Sequence, residues 1–194
     1  MALFETKDID EMMQEDDEGN SVHDACAERV IIAKRPAKLQ HVMDNIIDGV
    51  SLHFISNGDW SLHDLLVKLL PMYAPAVIYI STYAIREYAV RVMVDALHTG
   101  ELISVNMLLD YRAKVLAPEV HQLAVNTMNQ VRLTAVHAKV MVMESDKGCI
   151  TLVGSANWTN NPRIESGVIT CRKEVAAFHI NWIQKSLDNA DVFE

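Results

Sequence analysis

The run AVIYIST (76–82) is built from β-branched and aromatic side chains, the mark of a strand buried on both faces. It feeds into AIREYAVRVMVDALHTG, where Ile85, Tyr88, Ala89, Val92, Met93 and Ala96 recur at helical spacing until Gly100 ends the pattern. A strand running into an amphipathic helix commits a chain to a sheet with helices laid on it, because neither element can bury its apolar face alone. The unit recurs downstream. ISVNMLLD (103–110) reads as a strand, PEVHQLAVNTMNQ (118–130) as a helix with proline in its first turn, and VRLT (131–134) as a third strand. This β-α-β-α-β order predicts an α/β fold with a mixed, mainly parallel β-sheet flanked by helices on both faces.

Upstream, SLHFIS (51–56) is a short strand closed by Asn57-Gly58. Ser61, with Asp64 three residues on, opens a helix over LHDLLVKLL that is expected to stop near Pro71. The pattern changes after residue 136. HAKVMVME (137–144), ITLVGS (150–155) and SGVIT (166–170) follow one another with no helix between them, so antiparallel strands are expected in the C-terminal half. A last helix, from about Lys173 to Leu187, is expected to turn Val175, Phe178, Trp182 and Ile183 inward.

The formal charge of −9 runs against a partner as anionic as nucleic acid, but its distribution matters more than its sum. Residues 1–24 hold nine acids and one base, Lys7, whereas the remaining 170 residues carry 17 acids and 16 bases. The organisation expected is an acidic arm over residues 1–27, too poor in large apolar side chains to fold by itself, followed by a single domain over 28–194. Its near-neutral body can bind phosphate if the basic residues gather at one cleft. Cys26, Cys149 and Cys171 form no C-x-x-C pair and suit neither a disulfide framework nor a zinc site, so no metal or other cofactor is expected. With no basic n-region before an apolar run, and no apolar stretch of about 20 residues, a soluble cytoplasmic protein without stable membrane association is the expectation.

Chemistry concentrates near residue 137. On a strand, alternate side chains share a face, so His137 and Lys139 are expected to project together while Ala138, Val140 and Val142 face the core. The return strand ends in Gly154-Ser155-Ala156-Asn157, whose hydroxyl, carboxamide and backbone N–H groups can bind the same anion. Glu165 opens the next strand, where a carboxylate could hold His137 by its other ring nitrogen. Tyr83 and Asp110-Tyr111-Arg112 follow strand ends, where α/β sheets bind ligands, and Tyr83 and Arg112 are expected to line the groove. Asp110 either contacts substrate or caps a helix or turn. Trp158 either stacks a base or packs the rim of a dimer interface. The histidines at 41, 53, 63, 98, 121 and 179 are expected on element surfaces, and His23 falls in the arm.

The order His137-x-Lys139, Gly154-Ser155-x-Asn157, Glu165 resembles the motif of the phospholipase D superfamily, with a single copy as in its small bacterial nucleases. That resemblance implies a phospholipase D-like fold and a metal-independent phosphodiesterase, foremost a nuclease acting on DNA or RNA. His137 would attack phosphorus to give a phosphohistidine, Lys139, Asn157 and Ser155 would stabilise the non-bridging oxygens, and Glu165 would orient His137. One imidazole cannot serve as both nucleophile and leaving-group acid, so a homodimer pairing two copies of His137 is implied. Where the family has an aspartate this chain has Glu144, and the stretch from there to Gly154 is longer. These departures keep open a degenerate nucleic-acid-binding or regulatory protein with the same fold, and the shared chemistry leaves a phospholipid-cleaving enzyme as a further alternative.

Overall fold

The computed structural model describes residues 29–33, 35–160 and 162–190; the acidic arm expected over residues 1–27 lies outside the described residues. Eight strands form one sheet in the order β1-β2-β8-β7-β6-β3-β4-β5. In the chain these are β1 (Arg29–Ile32), β2 (Val50–Ser56), β3 (Ala76–Thr82), β4 (Leu102–Asp110), β5 (Gln130–Thr134), β6 (Val140–Ser145), β7 (Gly148–Gly154) and β8 (Glu165–Thr170). The helices are α1 (Leu39–Asp44), α2 (Leu62–Tyr73), α3 (Glu87–His98), α4 (Tyr111–Leu116), α5 (Pro118–Thr127) and α6 (Lys173–Asn189). None is long and apolar enough to cross a membrane.

The sheet is mixed and has helices on both faces. Parallel pairing is confined to β1/β2, β3/β4 and β4/β5. Antiparallel pairing reaches further than the mainly parallel sheet expected, because β8 adds to β2 as well as to β7, and β6 lies against β3. A consequence decides where function can sit. The carboxyl ends of β1–β5 and β7 and the starts of β6 and β8 all meet at one pole of the sheet, the edge where such folds bind ligands.

The period-2 alternation of β6 separates two cores. Met141 and Met143 enter the larger one with Leu65, Leu66, Ala89 and Met93 of α2 and α3, whereas Val140 and Val142 face α6. On α6 the buried side chains are Ala176, Ile183 and Leu187, with Ile180 and Trp182 packed beside them. Phe178, expected inward, is 66% exposed, since two residues from Ala176 lies nearly across the helix from this stripe. Val175 is only half-buried. The second helix also departs from expectation by running through Pro71 to Tyr73. Proline removes the bond to the Val67 carbonyl, but Val67 is on the exposed side of the helix, where water can serve that oxygen. Its start is as expected, with Ser61 and Asp64 closing a capping box. His63 and His121, expected at the surface, are buried, and desolvation lowers the pKa of both.

The turn between β6 and β7 is tight. Ser145 pairs with Gly148 across Asp146-Lys147, and every residue from 140 to 145 has a partner in β7. The extra length noted in the sequence is therefore absorbed into paired strand. Glu144 sits at the far end of β6 from His137, paired with Val77 and Cys149.

Candidate active site

Residues 137–139 lie just before β6 rather than in it. Pairing with β3 ends at Ser81↔Val140; beyond it the Ser81 hydroxyl donates to the Ala138 carbonyl at 3.1 Å in place of a ladder bond. On the other side, Gly154 N donates to the Lys139 carbonyl at 3.1 Å. The segment is thus extended and anchored by both neighbours. Ala138, expected in the core, is exposed because the chain has left the sheet on the β3 side. His137 is also exposed, whereas Lys139 is only 8% exposed.

Lys139 Nζ lies 3.1 Å from His137 Nδ1 and donates to the His137 carbonyl at 2.6 Å. Burial pushes the Lys139 pKa down, and the carboxylates of Glu165 and Asp110 oppose that shift. The Tyr83 ring stands edge-on to His137 at 5.0 Å between centroids, and Lys139 Nζ lies over it at 5.6 Å. Tyr83 also accepts a hydrogen bond from Arg112 Nη1 at 2.5 Å. His137, Lys139, Tyr83 and Arg112 therefore form one chain of contacts. Asp110 resolves to the capping alternative: its carboxylate accepts from Arg112 N at 2.9 Å and from Val136 N at 3.2 Å.

The Gly154–Asn157 loop supplies the other wall. Gly154 is required by close approach, since a Cβ there would meet the Ser166 carbonyl oxygen at 2.7 Å. Ser155 donates from its hydroxyl to Glu165 and accepts from Ser166 N at 3.0 Å. Glu165 consequently binds Ser155 and not His137 as expected, because the antiparallel pairing of β7 with β8, which ends at Gly154↔Gly167, puts the two side chains together. Asn157 is held through Oδ1 by the buried Thr82 hydroxyl at 3.2 Å. Thr82 escaped the sequence reading, although a polar pair, Ser81-Thr82, closing an apolar strand was a signal for it.

Trp158 serves neither role expected of it. Its backbone bridges to Ile85, through Trp158 N to the Ala84 carbonyl at 3.2 Å and Arg86 N to the Trp158 carbonyl at 3.0 Å. This turns the indole fully into the core, with no partner for its N–H among the described residues.

Charge is distributed unevenly between the two poles. Among the described residues, the connections at the His137 end carry Arg35, Lys38, Arg86, Lys139 and Arg163 against Asp59, with Asp110 and Glu165 at the adjoining strand ends and Arg112 in the first turn of α4. Those at the opposite end carry Asp48, Glu101 and Asp146 against Lys147 and Arg172. The near-neutral body is therefore polarised toward the site, which favours an anionic ligand there.

The mixed eight-stranded sheet with these helices shares the fold of solved phospholipase D family structures. The chain is similar to Nuc, a phospholipase D family member from Salmonella typhimurium, with TM-score 0.57 and 16% identity over 74% of this chain and 97% of that one. It is similar also to NucT from Helicobacter pylori, with TM-score 0.57 and 19% identity over 74% and 99%. Polyphosphate kinase from Porphyromonas gingivalis matches with TM-score 0.55 and 13% identity over 80% of this chain and 29% of that one. No protein-family model matches the sequence, and no curated protein matches it.

Proposed function

We propose that the chain is a metal-independent phosphodiesterase, and specifically a nuclease that cleaves DNA or RNA through a phosphohistidine at a dimeric site. The observation that carries this reading is the gathering of His137, Lys139, Ser155, Asn157 and Glu165 at the basic pole of a phospholipase D superfamily fold. Imidazole Nε2 attacks phosphorus; as the N–P bond forms, the P–O bond to the leaving oxygen breaks. A proton reaches that oxygen from His137 of a second copy, which then takes a proton from the water that attacks the phosphohistidine and breaks the N–P bond. Lys139, the Ser155 hydroxyl and the Asn157 amide stabilise the charge on the non-bridging oxygens. One water is consumed, and a diester becomes a monoester and an alcohol.

The resting contacts define what the substrate must displace. A charged Lys139 ammonium can only donate across its 3.1 Å contact with Nδ1, and in that arrangement the imidazole proton sits on Nε2, the tautomer of an acid rather than a nucleophile. A phosphate in the cleft competes for Lys139 and for the Ser155 hydroxyl. That frees Nδ1, so the proton can pass through solvent from Nε2 to Nδ1 before Nε2 attacks, and it frees Glu165 to accept a hydrogen bond from the resulting Nδ1–H. Exposed apolar side chains on segments that follow or precede strand ends at this pole, Val115 and Leu116 on α4 at 79% and 64% and Ile164 before β8 at 74%, offer surface for a second copy to cover.

The test is incubation with single- and double-stranded DNA and RNA in EDTA, alongside measurement of molar mass in solution. Wild type is expected to be dimeric and to cleave at least one substrate, while His137→Ala leaves it intact; equal background from both proteins rejects the reading. One observation favours a second reading, a protein that binds nucleic acid without turnover: among the described residues no carboxylate is bonded to His137, and Glu165 is bonded to Ser155. Trapping a covalent phosphohistidine at His137 eliminates it.

A further inference from the structure

Arg112 is fixed beside His137 through its backbone and through its side chain. Asp110 bonds Arg112 N with one carboxylate oxygen and Val136 N with the other, so a single side chain ties the first turn of α4 to the segment carrying His137. The guanidinium donates to the Tyr83 hydroxyl at 2.5 Å, and its central carbon lies 5.6 Å from the ring centroid. The same ring contacts His137 and Lys139. A charged fork is thereby held one aromatic ring away from the imidazole.

A surface arginine normally loses substantial rotamer freedom when a ligand fixes it. Here that ordering is already done by the protein. Arg112 is exposed, and among the described residues its only side-chain hydrogen bond goes to the Tyr83 phenol and not to a carboxylate, so most of its five N–H donors remain for a ligand. The planar fork matches two phosphate oxygens at once, which a lysine could not do. A polynucleotide places further phosphates a short distance along the strand from the one that reacts; a substrate with a lone phosphodiester has nothing to offer such a group.

Resting on the phosphodiesterase reading of His137 and Lys139, we propose that Arg112, held by Tyr83, binds a phosphate neighbouring the scissile one and so selects polynucleotides over single phosphodiesters. The test separates binding from turnover. In a His137→Ala background, affinity for a labelled single-stranded oligonucleotide is followed by fluorescence anisotropy through a salt series. Adding Arg112→Ala weakens binding about tenfold, as expected for a lost charged hydrogen-bonded contact. It also makes the slope of log affinity against log salt shallower by about 0.7, the value of one phosphate contact on a single strand. Tyr83→Phe keeps the ring, removes the hydroxyl, and gives a smaller loss in the same direction.

In the active chain, Arg112→Ala lowers the ratio of kcat/KM for the oligonucleotide to that for bis-p-nitrophenyl phosphate, a single diester, by about tenfold. An equal loss on both substrates overturns the assignment, because that is what a merely displaced His137 produces. An unchanged salt slope, or a chain that binds no oligonucleotide, also overturns it. Binding with an Arg112-dependent slope but no cleavage of either substrate supports the Arg112 contact and counts against the hydrolytic reading instead.

Discussion

Thr82→Val gives the most direct test of how the site is held. The Thr82 side chain is fully buried, and its single hydroxyl proton is shared between the Ala84 carbonyl at 3.1 Å and Asn157 Oδ1 at 3.2 Å. Valine matches threonine in shape and removes both bonds, leaving two oxygens without this donor. A net hydrogen bond contributes about 0.5–1.5 kcal/mol, and a stranded buried acceptor costs about 1–3 kcal/mol. Asn157 is only half-buried and can turn to water, and the Ala84 carbonyl keeps the Trp158 backbone N–H at 3.2 Å, so the lower part of that range applies, about 1–2 kcal/mol in all. For a chain of this size each kcal/mol moves Tm by about 2–4 °C, which gives a fall of about 2–8 °C. Urea unfolding of Thr82→Val, Asn157→Ala and the double variant measures the coupling directly, with a value of about 0.5–1.5 kcal/mol expected. In the cleavage assay, Thr82→Val should lower kcat more than it raises KM, because a loosened amide misaligns in the transition state. Strict additivity of the two substitutions, together with unchanged kcat, would show that Thr82 does not position Asn157.

Three further outcomes follow from the geometry. Gly154→Ala forces a Cβ to within 2.7 Å of the Ser166 carbonyl oxygen, a backbone atom that cannot rotate away, and should destabilise by about 1–3 kcal/mol, read from urea midpoints. Gly167→Ala meets the Phe54 ring at 2.9 Å and the Val153 carbonyl oxygen at 3.2 Å, so its backbone contact is looser than that at Gly154 and it should cost less. Burial holds the Lys139 pKa below its usual 10.5, so the unfolded chain binds more protons there than the folded one. Between the depressed value and 10.5 the burial penalty on stability is therefore relieved as pH rises, while oligonucleotide affinity falls as the charge is lost. Lys139→Arg should move that loss of affinity to higher pH in a binding titration, and an unmoved profile removes Lys139 from phosphate contact. Finally, removing residues 1–24 takes away a net charge of −8 and should tighten oligonucleotide binding at low salt, an effect that vanishes at high salt if it is long-range repulsion.

The contrast between Thr82 and Trp158 shows what the sequence carried and where it stopped. AVIYIST reads as a strand because its own composition decides the matter, and β3 occupies those same seven residues. His137 and Lys139 stand out because their order relative to Ser155, Asn157 and Glu165 is a property of the chain. Which of these side chains touch one another is not, since contacts depend on the strand crossings. The β7/β8 pairing gives Glu165 to Ser155, and the bridge between Trp158 and Ile85 turns the indole into the core instead of the groove. The same limit applies to helix faces: Ala176, Ile183 and Leu187 are spaced along one face of α6, but alanine is too small to mark it, and Phe178, the larger hydrophobe, lies off that face and is exposed. Polar groups that end an apolar strand are where such reading loses most. Ser81 and Thr82 look like the fading of a strand, yet Ser81 anchors the Ala138 carbonyl and Thr82 holds Asn157, so the two join the His137 segment and the Gly154–Asn157 loop to β3. Any account of the chemistry must therefore treat the end of β3 as part of the site's support, because both halves of the motif hang from it.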